Sequence, residues 1–445
     1  MSKRRDQVIK PFLQKQDYMN ERIHEGIERN RKGYGAVKVV DAEGKPVAGA
    51  HVRLVQKSHD FQYGANLFLI DELETEEKNQ RYKQLYKDAF NMGTLPFYWY
   101  ALEPEQDKPR YAADSPKYYR RPAPDLCVDW CEQNGIIPKA HCLNYDKYSP
   151  VWLPRDVQGV KRLLEKRFRE CAERYAGRIH GWEVTNETLC DGVDLPERRS
   201  TPFAHDPEIV EWSFETARRY FPNNELIINE ASGFIWEEFQ YNRTAYYMQI
   251  ERALRKGASI DTIGMQFHMF FTEGREAEKA RIYYDPERIY DVLDQFGQLD
   301  KPIQITEISI PAYHESMADE DLQAEIIRYL YSMWFSHPNV ETITYWNSVD
   351  GYAYTNPAQN NRNENVYMAG LIRHDMTPKA AYRTICNLFQ KTWHTEAETG
   401  TDLGGCAAFK GFYGKYDVEI TVGDQTVTRE IHFAKDGMKE VKVKI

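Results

Sequence analysis

Short apolar runs and longer amphipathic stretches alternate through the middle of the chain. The apolar runs fall at 61–70, 91–100, 137–145, 179–187, 225–230, 261–269, 302–310 and 340–350. A stretch with helical period follows each, at about 75–90, 124–134, 157–176, 207–221, 237–256, 286–298, 318–336 and 378–391. Strict alternation of strand and helix predicts parallel strands joined by right-handed crossovers. Eight such units predict closure into a (β/α)8 barrel, an α/β fold of the TIM type. An open doubly wound sheet is the competing arrangement, but no Gly-x-Gly-x-x-Gly follows the first strand.

The two ends of the chain read differently. Residues 1–32 are charged and helix-prone, without a clear apolar stripe. Residues 33–59 show period-2 alternation around the turn Asp-Ala-Glu-Gly-Lys-Pro, and residues 405–445 alternate between Gly-Asp and Asp-Gly turns. Neither end has strands enough for a sheet pair of its own. Together they are expected to form one small accessory β-sandwich flanking a barrel over 60–395. A bracing role for it outweighs sugar binding, because its strands carry few aromatic residues.

Composition narrows the function. A net charge of −10, with both signs interspersed, argues against nucleic acid as partner. No apolar run is long enough for a membrane span, and the basic start lacks the apolar segment of a secretory signal. Seven scattered cysteines suit free thiols in a reducing cytoplasm. With 30 Tyr and 9 Trp, the chain is rich in rings that can stack on sugars. No cofactor motif stands out. His314 and its acidic neighbours lack a second histidine at helical spacing, so no metal site is expected. Oligomeric state is not legible.

In a barrel of this kind the site lies at the C-terminal ends of the strands. Polar residues cluster there. His141 and Asp146 follow the third strand, Asn186 and Glu187 end the fourth, Asn229 and Glu230 the fifth. Gln266 and His268 end the sixth, Glu307 the seventh, and Trp346 with Asp350 the eighth. Buried polar groups cost free energy unless paired, so this many converging on one mouth implies chemistry rather than scaffold. Glu187 and Glu307 facing each other are the equipment of glycoside hydrolysis, one as acid and one as nucleophile or base. Glu230, in a second Asn-Glu pair, is expected to support rather than react.

The segments WEVTNE and ITEISI resemble the acid/base and nucleophile motifs of the family 10 glycoside hydrolases, the β-1,4-xylanases. GIIPKAHCLNY, GASIDTIGMQFH, TYWNSVDGYAY and AGLIRHDMTPKAAYRTI resemble further segments of that family in the same order, over roughly residues 60–393. The resemblance implies a retaining enzyme acting on xylan or a xylo-oligosaccharide, with Glu187 as acid/base and Glu307 as nucleophile. It implies that Asn186 binds the sugar 2-hydroxyl and that His268 keeps Glu307 ionised. Glu187 is then expected to have its pKa raised by burial and by Glu307. His141, Tyr145, Asp146, Gln266, Trp346, Trp99 and Tyr354 complete the expected substrate-binding set.

The chain departs from the family's pattern on the sugar-binding side. Phe97, Tyr98, Trp99 and Tyr100 stand where charged residues are usual, Tyr145 and Asp146 replace a Trp-His pair, and Ser309 replaces an aspartate. Bulky aromatics there favour exo-action on a short or different β-glycoside over cleavage of a long polymer. The reading from another class is an inactive carbohydrate-binding protein, against which the retained Glu187, Glu307, Asn186 and His268 argue.

Overall fold

A computed structural model describes residues 3–355 and 363–445. Eight parallel strands close into a barrel in sequential order. They are Gln62–Asn66, Met92–Pro96, Ile137–Asn144, Gly181–Asn186, Glu225–Glu230, Thr262–His268, Ile303–Ser309 and Val340–Tyr345, hereafter barrel strands 1 to 8. Each predicted run contains one of them. Helices cover the outer face of the strands and side chains fill the barrel interior, so the strands are buried on both faces and read as near-continuous apolar runs.

The helices depart from the sequence pattern in two places. The expected helix over 237–256 forms only at Ala245–Arg255, after a single π-turn at Gly233–Glu237. A helix at Glu273–Tyr283 precedes the expected Pro286–Gly297. Its sequence, EGREAEKARIY, carries too little apolar period to announce it.

The N-terminal segment does have an apolar stripe. Helices Lys3–Val8, Lys10–Gln14 and Gln16–Asn30 bury Val8, Ile9, Phe12 and Met19 completely against the barrel core. Ile23 and Ile27 continue the same face. The stripe is split by the breaks around Ile9 and Lys15, which hides its period. Ion pairs of Arg4 with Glu276 and Asp319, and of Lys15 with Asp285 and Glu287, tie this segment to the barrel's outer helices.

Strands from both ends form two facing sheets. One orders Cys406–Phe412, Lys32–Val40 and Glu440–Lys444; the other orders Glu396–Gly400, His51–His59, Gly414–Val422 and Gln425–Phe433. Val37, Val39, Val52, Leu54, Tyr416, Val418 and Ile420 fill the space between them. Glu396–Gly400 lies between the expected barrel and sandwich spans and pairs with His51–His59.

Candidate active site

Register between neighbouring strands assembles the site. Parallel pairing sets His141 beside Glu183, Asn186 beside Asn229, Gln266 beside Glu307 and His268 beside Ser309, all at the C-terminal end of the barrel. A cavity of about 430 Å³ opens above them. Its walls include Glu187, Glu307, Asn186, Gln266, His268, His141, Tyr145, Trp346 and Tyr354.

Glu187 answers why a buried strand ends in a carboxylate. Its backbone has φ of 52°, in the left-handed region that a side chain rarely adopts. The chain breaks from the strand direction there while the Glu187 N–H still donates to Asn229 O at 3.2 Å. The side chain is thereby turned into the cavity.

A single amide joins the two carboxylates. Gln266 Nε2 donates to Glu187 Oε1 at 3.1 Å and to Glu307 Oε1 at 3.2 Å. One nitrogen cannot span two oxygens more than about 6.3 Å apart at those lengths.

Glu307 is held from several sides. Asn229 Nδ2 donates to its Oε1 at 3.1 Å, and His268 Nε2 lies 3.2 Å from its Oε2. Asn229 is oriented by Thr306, whose hydroxyl donates to Asn229 Oδ1 at 2.6 Å. Gly264 makes room for it, since a Cβ there would meet Asn229 Oδ1 at 2.7 Å. His268 Nδ1 sits 3.0 Å from Ser309 Oγ, so the hydroxyl takes the place where the family pattern has a carboxylate. Burial pushes the His268 pKa down to about 4, which makes it a neutral donor at ordinary pH.

Beneath these residues lies a charged layer in which the expected His141 is joined by Lys139 and Glu183, two residues not anticipated from the sequence. Lys139 Nζ pairs with Glu183 Oε1 at 2.6 Å, and His141 Nδ1 bonds the other oxygen of Glu183. Burial opposes the Glu183 charge, but Lys139 and His141 hold its pKa down to about 2. His141, Glu183 and Glu307 bring ligand-type atoms within 4.8 Å of one another. Lys139 already supplies the positive charge at that cluster.

The proton order differs from the expected one. Burial raises the Glu307 pKa to about 8, opposed by His141 and reinforced by the charges of Glu183 and Glu187. Burial also opposes the Glu187 charge, yet Lys147, Tyr145 and Gln266 hold its pKa down to about 2. The cause is Lys147, whose Nζ lies 3.0 Å from Glu187 Oε2. The ion pair with Lys147 thus favours the charged form of Glu187, while burial favours the protonated form of Glu307.

Two expected site residues lie elsewhere. Trp99 opens a short helix, Trp99–Leu102, and points away from the cavity; its Nε1 donates to Glu103 Oε2 at 2.9 Å and its ring meets Trp152 edge-on. The backbone turn before this helix presents Tyr98 to the cavity instead. Asp146 faces behind the wall, accepting from the Thr201 backbone N–H at 2.9 Å and the Thr201 hydroxyl at 2.6 Å. Glu230 accepts from the N–H groups of Leu189 and Ala231 at 3.0 and 2.8 Å and so braces the loop that carries Glu187. Lys147, Tyr148, Arg198, Glu364 and Tyr367 line the cavity without any periodic signal in the sequence, because they sit in single helical turns or, for Arg198, in a two-residue strand.

Comparison with known proteins places this architecture. The glycosyl hydrolase family 10 model matches residues 59–388. The anti-sigma-I factor RsgI6 of Acetivibrio thermocellus is 25% identical over 411 residues, covering 91% of this chain and 46% of that protein. Endo-1,4-beta-xylanase 1 of Arabidopsis thaliana is 24% identical, covering 93% of this chain and 39% of that one. This chain thus spans less than half the length of these curated relatives. Xylanase 10B from Thermotoga petrophila, solved in complex with xylobiose, superposes with a TM-score of 0.59 at 23% identity, covering 75% of this chain and 95% of that one. That likeness shows the barrel fold. The family model spans the whole barrel and both carboxylates, and on that basis the chain belongs to glycosyl hydrolase family 10.

Proposed function

We propose that the protein is a retaining β-glycoside hydrolase acting on a xylo-oligosaccharide or a related short β-glycoside. The observation that carries this is the Gln266 amide shared by Glu187 and Glu307. Oxygens bridged by one nitrogen fall short of the roughly 6.5–9.5 Å separation that leaves room for water in an inverting site. They suit the roughly 5–5.5 Å separation of a double displacement.

In this reading Glu187 protonates the departing oxygen while Glu307 attacks the anomeric carbon. The glycosyl-enzyme bond forms as the glycosidic bond breaks, and the leaving group takes the proton. Water then attacks the same carbon, losing its proton to Glu187, and Glu307 is released. Asn186, whose Oδ1 accepts from Asn229 Nδ2 at 2.9 Å, is fixed beside the reacting carbon to bind the 2-hydroxyl. The neutral His268 donates to Glu307 as charge returns to it on release. Before attack, the proton must pass from Glu307 to Glu187.

The aromatic cluster supports action on short substrates. Phe68, Tyr98, Tyr100, Tyr118 and Trp346 pack together with Tyr145 and Tyr148 at one end of the cavity. Tyr98 meets Tyr148 at 4.7 Å and Trp346 meets Phe68 at 5.1 Å, and bulky rings packed there favour a short substrate over a long chain in this reading. A cytoplasmic setting is part of the proposal, and seven unpaired cysteines support it. The test is a panel of aryl β-glycosides: xyloside, xylobioside, glucoside, galactoside and arabinopyranoside. Hydrolysis that Glu307→Ala abolishes supports the reading. Sugar binding without turnover of any of them would replace it with the carbohydrate-binding alternative.

A further inference from the structure

One wall of the cavity carries cations that the proposed hydrolysis of a neutral sugar does not use. A two-residue pairing, Ser149 with Arg199 and Pro150 with Arg198, fastens the loop after barrel strand 3 to the loop after strand 4. It sets Lys147 and Arg198 side by side on the cavity surface. Arg198 is 2% exposed and lies flat over the Tyr148 ring at 3.7 Å. Its donors reach only neutral oxygens, Lys147 O at 2.6 Å and Tyr354 Oη at 3.1 Å. Among the described residues no carboxylate pairs with it. A buried guanidinium without a counter-charge is costly, and a planar fork beside a cavity suits a bound anion.

Neighbouring charges reinforce the same wall. Arg121, also buried, stacks on the far side of Tyr98 at 3.7 Å and bonds only the Arg120 carbonyl at 2.9 Å. Of the other acids lining the cavity, Glu237 is paired with Lys279 and accepts from the Tyr283 hydroxyl at 3.0 Å, and Glu364 accepts from Asn347 Nδ2 at 2.6 Å. Lys147 pairs with the carboxylate that must be freed and protonated for acid catalysis, Glu187, and also meets the Cys190 thiol.

We propose that Arg198 and Lys147 form a receptor for an anionic group, a carboxylate or a phosphate, carried by the β-glycoside substrate. The proposal rests on the hydrolase reading for its consequence but not for its binding claim. An anion seated on Arg198 competes with Glu187 for the Lys147 ammonium. Glu187 loses its counter-ion and takes up the proton it needs. Recognition of the charged substrate and arming of the acid are then one event, and a neutral sugar, which leaves Glu187 paired with Lys147, is turned over more slowly.

The test uses sulfur-linked ligands that resist hydrolysis, so binding is read apart from turnover. Phenyl 1-thio-β-D-glucoside, its 6-phosphate and phenyl 1-thio-β-D-glucuronide differ only at C6. Each is titrated calorimetrically into the wild-type protein and into Arg198→Gln and Lys147→Met. We expect at least one anionic ligand to bind ten-fold or more tightly than the glucoside, with the advantage shrinking in added salt and in both variants. Preference for the glucuronide alone identifies a uronic acid; preference for the phosphate alone identifies a phosphorylated sugar. Equal or weaker binding of both anions, or an advantage that survives both variants, overturns the proposal. Failure of the oxygen-linked counterparts to hydrolyse, with the binding preference intact, would instead remove the hydrolase reading.

Discussion

Lys147 and Glu187 form an ion pair inside the cavity, Nζ to Oε2 at 3.0 Å, with both side chains only 17% exposed. The pair favours the charged form of Glu187. Burial meanwhile favours the protonated form of Glu307. The proposed mechanism needs the reverse arrangement, with the proton on Glu187 and the charge on Glu307.

Removing the cation therefore has a defined effect on pH dependence. Without Lys147 the Glu187 carboxylate is less favoured and its pKa rises from about 2 toward the ordinary carboxyl range. The acid limb of the kcat/KM profile on a neutral aryl glycoside should move to higher pH in Lys147→Met by about one unit or more. A limb that stays in place would show that Lys147 does not set the ionisation of Glu187.

The two carboxyls should respond differently to the leaving group. Glu187→Ala should cost about 10²–10⁴-fold in rate with a poor leaving group, which needs the proton. With a dinitrophenolate, which departs unprotonated, the loss in the first step should be small. Glu307→Ala should be inactive with both, because it removes the nucleophile. Rates across a series of substituted phenyl glycosides check this; equal sensitivity of both variants would undo the assignment of roles.

Stability should fall with rising pH through a predictable window. Burial raises the Glu230 pKa from 4.5 to about 8, opposed by the N–H groups of Ala231 and Leu189. Glu307 is raised similarly. Such groups bind their proton more tightly in the folded state. Their contribution is complete below the unfolded value and is lost as pH rises from about 4.5 to about 8. Glu230→Gln keeps a neutral side chain at all pH values, so its Tm should fall less steeply than that of the wild type across this window. Parallel curves would contradict a raised Glu230.

The N-terminal helices should count as part of the barrel's core. Phe12 is fully buried and packs its ring against Tyr284 at 5.3 Å and Tyr329 at 4.8 Å. Phe12→Ala should destabilise the protein by about 3–5 kcal/mol in urea unfolding. A change under about 1 kcal/mol would mean the segment is an appendage that contributes little to the core.

The barrel was legible because its strands are buried on both faces and stand as bare apolar runs between periodic helices. The facing carboxylates were legible because each ends such a run. What stayed hidden has no period. Lys147 and Arg198 lie in loops and meet only through the short Ser149–Pro150 and Arg198–Arg199 pairing. Tyr98 takes the place expected of Trp99 because the strand ends at Pro96 and a helix begins at Trp99, which turns that ring away from the cavity. Proton order was inverted because it depends on Lys147, a partner visible only in three dimensions.

The central claim is that Glu187 and Glu307 carry out a double displacement. The most direct measurement is the anomeric configuration of the first-formed sugar, followed by proton NMR as the protein hydrolyses an aryl β-xylobioside. The account predicts that the β-anomer appears first and converts to the equilibrium mixture afterwards. The α-anomer appearing first would contradict it, because a single displacement by water inverts the centre and leaves no role for Glu307 as nucleophile.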